Sequence, residues 1–238
     1  MSVLAPLLTY VLRTGRPKRW WLALLPTLIA VALGLLARQG HRGGQDDFVT
    51  VVGLPVFSVV LPLACLIVAD TALGSEIRSG AFALTWLSPA PIWSIVVTRW
   101  LGALLLVLGY VVPAVALSAV AAGTSDALLP AEGAVLLGAA AYLALFLLIG
   151  AVFRRAIAIS LGYVIVVEHA LGAALVGLAS ITPSWISLGL LAGSTDVVLR
   201  AGDLPHGGGA ITRLVVITLL GLALTSWRLR RLRAASGD

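Results

Sequence analysis

The chain has 238 residues, of which 60% are hydrophobic and 11% charged, with a mean hydropathy of +1.08. A soluble domain carries about a quarter charged residues, so this much apolar surface cannot be hidden in a water-soluble core, and the composition is that of an integral membrane protein. The net charge of +6 would suggest nucleic acid in a soluble chain; here topology accounts for it, and no nucleic-acid partner is expected.

Residues 2–16 carry Val3, Leu4, Leu7, Leu8 and Val11 at helical spacing, followed by Arg13 and Arg16. This predicts a short helix lying in the membrane interface. The first apolar run, about 20–37, is preceded by four basic residues, as a signal peptide would be. It is long and no small-residue cleavage site follows, so a retained membrane helix is expected. The second run is about 49–69, with Pro55 and Pro62 inside it and Cys65 too deep and too alone for an internal disulfide. Kinking prolines are tolerated in lipid when neighbouring helices satisfy the freed carbonyls, which favours a packed bundle.

A polar break follows. In residues 71–88, Leu73, Ile77, Leu84 and Leu87 fall on one helical stripe, while Glu76, Arg78 and Ser79 fall off it. Asp70 or Thr71 is placed to cap this helix, and Pro89 and Pro91 to end it. Such a helix either lies on the headgroups or docks into a cytosolic protein. Apolar sequence resumes after Arg99.

Three further runs, about 100–122, 133–153 and 156–179, are each long enough to cross a bilayer. The last of these holds Glu168 and His169 near its centre. Ionisable groups at that depth are costly and mark function by default. They either line a substrate path, form a proton relay, or make interhelical hydrogen bonds. Residues 180–209 begin apolar but are too short to span before Asp196, which predicts a re-entrant or interfacial segment ending in a glycine-rich loop. The sixth run, about 207–227, is interrupted by Arg213 near one end, where the side chain can snorkel. No internal repeat or linker divides the chain, so one all-α domain spanning 1–238 is expected.

With the N-terminus inside, twelve Lys and Arg residues lie on the inner side and four on the outer side. The positive-inside rule then places both termini in the cytosol. Several chemistries are excluded. A phosphate-binding loop needs the sequence G-x-x-x-x-G-K-[ST], and the one lysine, Lys18, follows Pro17. Glu168-His169 has no second histidine at zinc-site spacing. An intramembrane serine protease needs a serine and a histidine at bilayer depth, and Gly123-Thr124-Ser125 is a poor candidate because it falls in an outer loop.

In the polar break, Glu76, Gly80, Leu84, Leu87, Ser88, Pro89 and Arg99 stand in the order seen in the signature loop of ABC-2 type transporter permeases, with Ala81 where threonine is usual. The chain resembles that family in overall layout, and at residue level over 70–99. The resemblance implies six spans, an N-terminal interfacial helix, a cytosolic coupling helix at about 71–88 and a re-entrant segment between the fifth and sixth spans. It implies a permease in the inner membrane of a bacterium, exporting a drug, lipid, peptide or other amphipath. No cofactor is then expected on this chain; a separate ATPase subunit holds the ATP and Mg, and a second permease copy or paralogue completes the assembly. Leu73, Glu76, Ile77, Arg78, Gly80, Leu84, Leu87 and Pro89 become the candidate ATPase-coupling residues, and Glu168 and His169 the candidate pathway residues. On this reading Glu76→Lys uncouples transport without unfolding the protein. The competing readings are a proton-coupled carrier that uses Glu168 and His169, and a membrane scaffold without transport.

Overall fold

The computed structural model describes residues 24–39, 44–79, 91–153, 155–171, 177, 180–195, 197, 199 and 204–235. The predicted interfacial helix at 2–16 lies outside them, as do Gly80, Leu84, Leu87 and Pro89. Among the described residues the chain is helical, without a strand.

Seven helical stretches follow in order: α1, Leu24–Arg38; α2, Gly44–Arg78; α3, Ile92–Ala122; α4, Leu128–Val152; α5, Ala156–Gly162 continuing through Tyr163–Leu171; α6, Pro183–Ser194; and α7, Gly207–Ala235. Four of them are long and apolar enough to cross a membrane: α2, α3, α4 with its leading turn, and α7. α1 and α5 are apolar but shorter over their described parts. They coincide with the first and fifth predicted runs, whose remaining residues, 20–23 and most of 172–179, are outside the described set.

Two boundaries differ from expectation. α3 begins at Ile92, directly after Pro91, whose extended backbone suits the residue before a first turn. Arg99 is therefore two turns inside a helix rather than at its mouth. At 31 residues α3 is about 46 Å long, more than a hydrocarbon core needs, so polar residues fit at its ends. The second difference lies in α2, which passes through Asp70 with ordinary helical dihedrals and continues to Arg78. The expected cap at Asp70 or Thr71 is thus absent: Asp70 bonds forward to Arg78, and the Thr71 hydroxyl bonds back to the Val68 carbonyl at 2.9 Å. The described part of the predicted coupling helix is a continuation of α2.

α2 is not uniform. The Leu54 N–H donates to the Val49 carbonyl and the Leu61 N–H to the Val56 carbonyl, both five residues back. These wide turns flank Pro55 and lead to Pro62, which contribute no N–H to the helix ladder.

α4 is the central element, packed by α2, α3, α5, α6 and α7. Its sequence explains why it can be surrounded. Ala131, Ala134, Gly138, Ala139, Ala141, Ala144, Gly150 and Ala151 are all buried, and small residues let membrane helices approach closely. A Cβ placed on Gly221 of α7 would sit 2.9 Å from the Ala144 backbone carbon, so only glycine fits that crossing. Gly34 of α1 presses in the same way on the Ser118 carbonyl of α3. α3 is tied to α4 by the Trp100 indole, which donates to the Ala140 carbonyl at 3.1 Å. The large apolar side chains of α7, among them Val216, Leu219, Leu220 and Trp227, point outward, as lipid-facing positions do.

α6 is a twelve-residue helix opened by Pro183 in its first turn. It is too short to span, as expected, and is held inside the bundle: Ile186, Ser187 and Leu191 are fully buried against α4, α7 and α2. Arg213 of α7 reaches the Ser180 carbonyl at 2.8 Å.

Candidate functional site

Two polar clusters stand out in an otherwise apolar bundle. The first joins the C-terminal end of α2 to the first turns of α3. Asp70 and Arg78 are eight residues apart across the wide turn Asp70–Gly74 and pair through both carboxylate oxygens at 2.6 and 2.8 Å. Glu76 extends from the same end and meets Arg99 of α3 at 2.6 Å. The Arg99 side chain is only 4% exposed, and it also donates to the Ala72 carbonyl. A guanidinium this deep needs a carboxylate partner, because an uncompensated buried charge is among the costliest defects a fold can carry.

The predicted coupling residues are therefore divided. Glu76 and Arg78, expected to present charge to a partner, are both engaged within the chain. Leu73 sits in the core at 1% exposure, and Ile77 packs against it, so this half of the predicted stripe faces the bundle rather than a docking surface. The cause is the continuation of α2: the helix does not break at Asp70 but widens into a turn over Asp70–Gly74 and runs on, and Leu73 stays in the bundle. This also revises the expectation for Glu76→Lys, since the substitution brings a second cation to a buried arginine. The other half of the stripe, Leu84 and Leu87, lies outside the described residues.

The second cluster centres on Glu168. Residues 168 and 169 are adjacent on a helix and point about 100° apart; accordingly Glu168 is buried while His169 lies at the exposed surface, its Nδ1 3.0 Å from the Val164 carbonyl. They share a cavity wall but not an environment. The Tyr142 hydroxyl of α4 donates to Glu168 Oε2, and the Trp185 indole of α6 donates to the Glu168 backbone carbonyl at 3.1 Å. Glu168 Oε1, Ser184 Oγ and Ser187 Oγ are buried and make no hydrogen bond among the described residues. Beside them is a cavity of about 260 Å³ between α2, α5 and α6, lined by Leu54, Phe57, Ser58, Glu168, His169, Ser184, Trp185 and Leu188.

Sequence reasoning singled out Glu168 and His169 but not their surroundings. Tyr142 was legible as a hydroxyl in mid-span, and Ser184-Trp185 as polar tips in a segment too short to cross. The pairing of Glu76 with Arg99, 23 positions apart, had no local signal. No group of three or more His, Cys, Asp or Glu side chains able to hold a metal occurs among the described residues. Compared with protein-family models and with curated proteins, the sequence matches none.

Proposed function

We propose that this chain is the membrane-spanning permease subunit of an ABC-2 type transporter, an exporter of a hydrophobic or amphipathic compound driven by a separate ATPase. In this reading it sits in a bacterial inner membrane with both termini in the cytosol, beside a second permease copy or paralogue. ATP and Mg belong to the ATPase partner, and this chain catalyses no reaction itself.

The observation that carries the proposal is the polar tie between α2 and α3. Four charged side chains, Asp70, Glu76, Arg78 and Arg99, gather where residues 80–90 leave one span and return to the next. A link that must transmit force from a soluble motor needs stiff attachment to both spans. Ion pairs at the root of the link, one of them buried, supply it. The order of Glu76, Gly80, Leu84, Leu87, Pro89 and Arg99 along that link is the second support.

The test is purification of the tagged chain from its native membrane in mild detergent, followed by mass spectrometry. A stoichiometric soluble subunit with a phosphate-binding loop is expected, and its loss on Leu84→Asp together with Leu87→Asp would place the contact in residues 80–90. Recovery of this chain alone, under conditions that keep other membrane complexes intact, would overturn the reading. The buried Glu168 in its cavity favours one second reading, a proton-coupled carrier. That carrier would follow a pH gradient without ATP and fail on Glu168→Gln.

A further inference from the structure

The cavity between α2, α5 and α6 has an uneven wall. Most of it is hydrocarbon and aromatic surface from Leu54, Phe57, Trp185 and Leu188. At one place Glu168, 1% exposed, and Ser184, 5% exposed, each bring a buried oxygen with no hydrogen-bond partner among the described residues. The other Glu168 oxygen already accepts from Tyr142, which ties α5 to α4. Ser184 of α6 and Tyr163 of α5 also stand beside the carboxylate, but neither makes a hydrogen bond of ordinary geometry to Oε1. Buried polar atoms without partners are rare, and a group of them at a cavity wall points to something absent that supplies donors.

Glu168 Oε1 can only accept, whereas the Ser184 hydroxyl both donates and accepts, so a group carrying N–H or O–H donors suits the two together. Facing a buried carboxylate, a cation is favoured over a neutral donor. Among the described residues Glu168 forms no ion pair. The aromatic rings of Phe57 and Trp185 on the same wall add attraction for a cation and for an apolar tail. An apolar cavity of about 150 Å³ holds benzene, so 260 Å³ has room for one ring and a two-carbon ammonium arm.

We propose that this cavity binds a primary alkyl- or arylalkylammonium ion, its N–H groups donating to Glu168 Oε1 and Ser184 Oγ and its hydrocarbon body lying against Phe57, Trp185 and Leu188. Every group named belongs to this chain. The site stands whether or not an ATPase drives the protein, and binding is therefore measured on the full chain alone.

The experiment uses the full chain in nanodiscs of uncharged phosphatidylcholine, with empty discs as the reference for partitioning. Phenethylammonium is titrated calorimetrically beside phenethyl alcohol, which has the same shape without the charge. Saturable binding is expected for the ammonium, at least about tenfold tighter than for the alcohol, the size of one charge-assisted hydrogen bond. Glu168→Gln should remove that preference and leave the alcohol unchanged. Leu188→Trp, which fills the cavity and keeps Glu168, should abolish binding of both, and it carries the test if the Gln variant fails to purify as a single species. Equal affinity for the two probes, undiminished ammonium binding in either variant, or no saturable heat beyond that of empty discs would overturn the proposal.

Discussion

The ion pair between Glu76 and Arg99 gives the sharpest quantitative test of the fold. The Arg99 side chain is 4% exposed and that of Glu76 16%, and they meet at 2.6 Å. Breaking a fully buried pair from one side costs about 3–5 kcal/mol, mostly because the remaining charge stays buried without compensation. Water reaches part of Glu76, so Glu76→Gln, which keeps shape and removes charge, should cost less, about 2–3 kcal/mol. Glu76→Lys adds repulsion to that loss and should cost about 3–5 kcal/mol. In the double variant Glu76→Gln/Arg99→Gln neither charge remains, and the combined cost should fall short of the sum of the singles by about 1–2 kcal/mol. The assay is reversible unfolding of the purified chain in mixed micelles, followed by tryptophan fluorescence, with Trp100 adjacent to the pair. Additive costs in the cycle, or a Glu76→Lys variant within about 0.5 kcal/mol of the parent, would show that α2 and α3 are not joined as described.

The second pair makes a contrast. Arg78 is 32% exposed beside Asp70, and exposed pairs contribute about 0–1 kcal/mol, so Arg78→Ala should change unfolding by less than half the effect of Glu76→Gln in the same assay. Gly221→Val places a branched side chain where even a Cβ comes within 2.9 Å of Ala144. Overpacking of this kind costs about 1–3 kcal/mol, whereas Gly109→Val, where nothing lies within 4 Å, should be close to neutral in a thermal unfolding series.

The membrane character of the chain, its helical class and the approximate place of each long helix were legible in the sequence, because hydrocarbon forces backbone hydrogen bonds into continuous apolar helices. Residues 100–122 fall within α3 and 207–227 within α7, and 133–153 overruns the end of α4 by one residue. Helix ends were less legible. Charge density from Asp70 to Arg78 read as the start of a new amphipathic helix, yet those charges satisfy one another and Arg99, so the helix runs on. Amphipathic spacing fixes which residues share a face, but not whether that face meets solvent or core, and Leu73 shows the difference. At the second cluster the acid was legible because carboxylates are rare in spans. That Tyr142 and Trp185 meet it was not, because they come from α4 and α6, and only the packing of α4 at the centre of the bundle brings them together.

α2 connects the two clusters, and its mechanics differ along its length. From Phe48 to Val60 the wide turns and Pro55 weaken the ladder of backbone bonds, so bending concentrates there. From Asp70 onward the helix opens with another wide turn, Asp70–Gly74, but this one is braced within itself by Arg78 and across to α3 by Arg99. A displacement applied at residues 80–90 is then passed to α2 and α3 together rather than absorbed in the last turns of α2. It is taken up where the helix is soft, and there Leu54, Phe57 and Ser58 form one wall of the cavity that holds Glu168. Loosening the brace with Glu76→Gln should separate the two ends. Amine binding in the cavity should persist in the isolated chain, while any response of that binding to a partner attached at 80–90 should weaken. Loss of binding itself on Glu76→Gln would instead mean that the brace shapes the cavity directly.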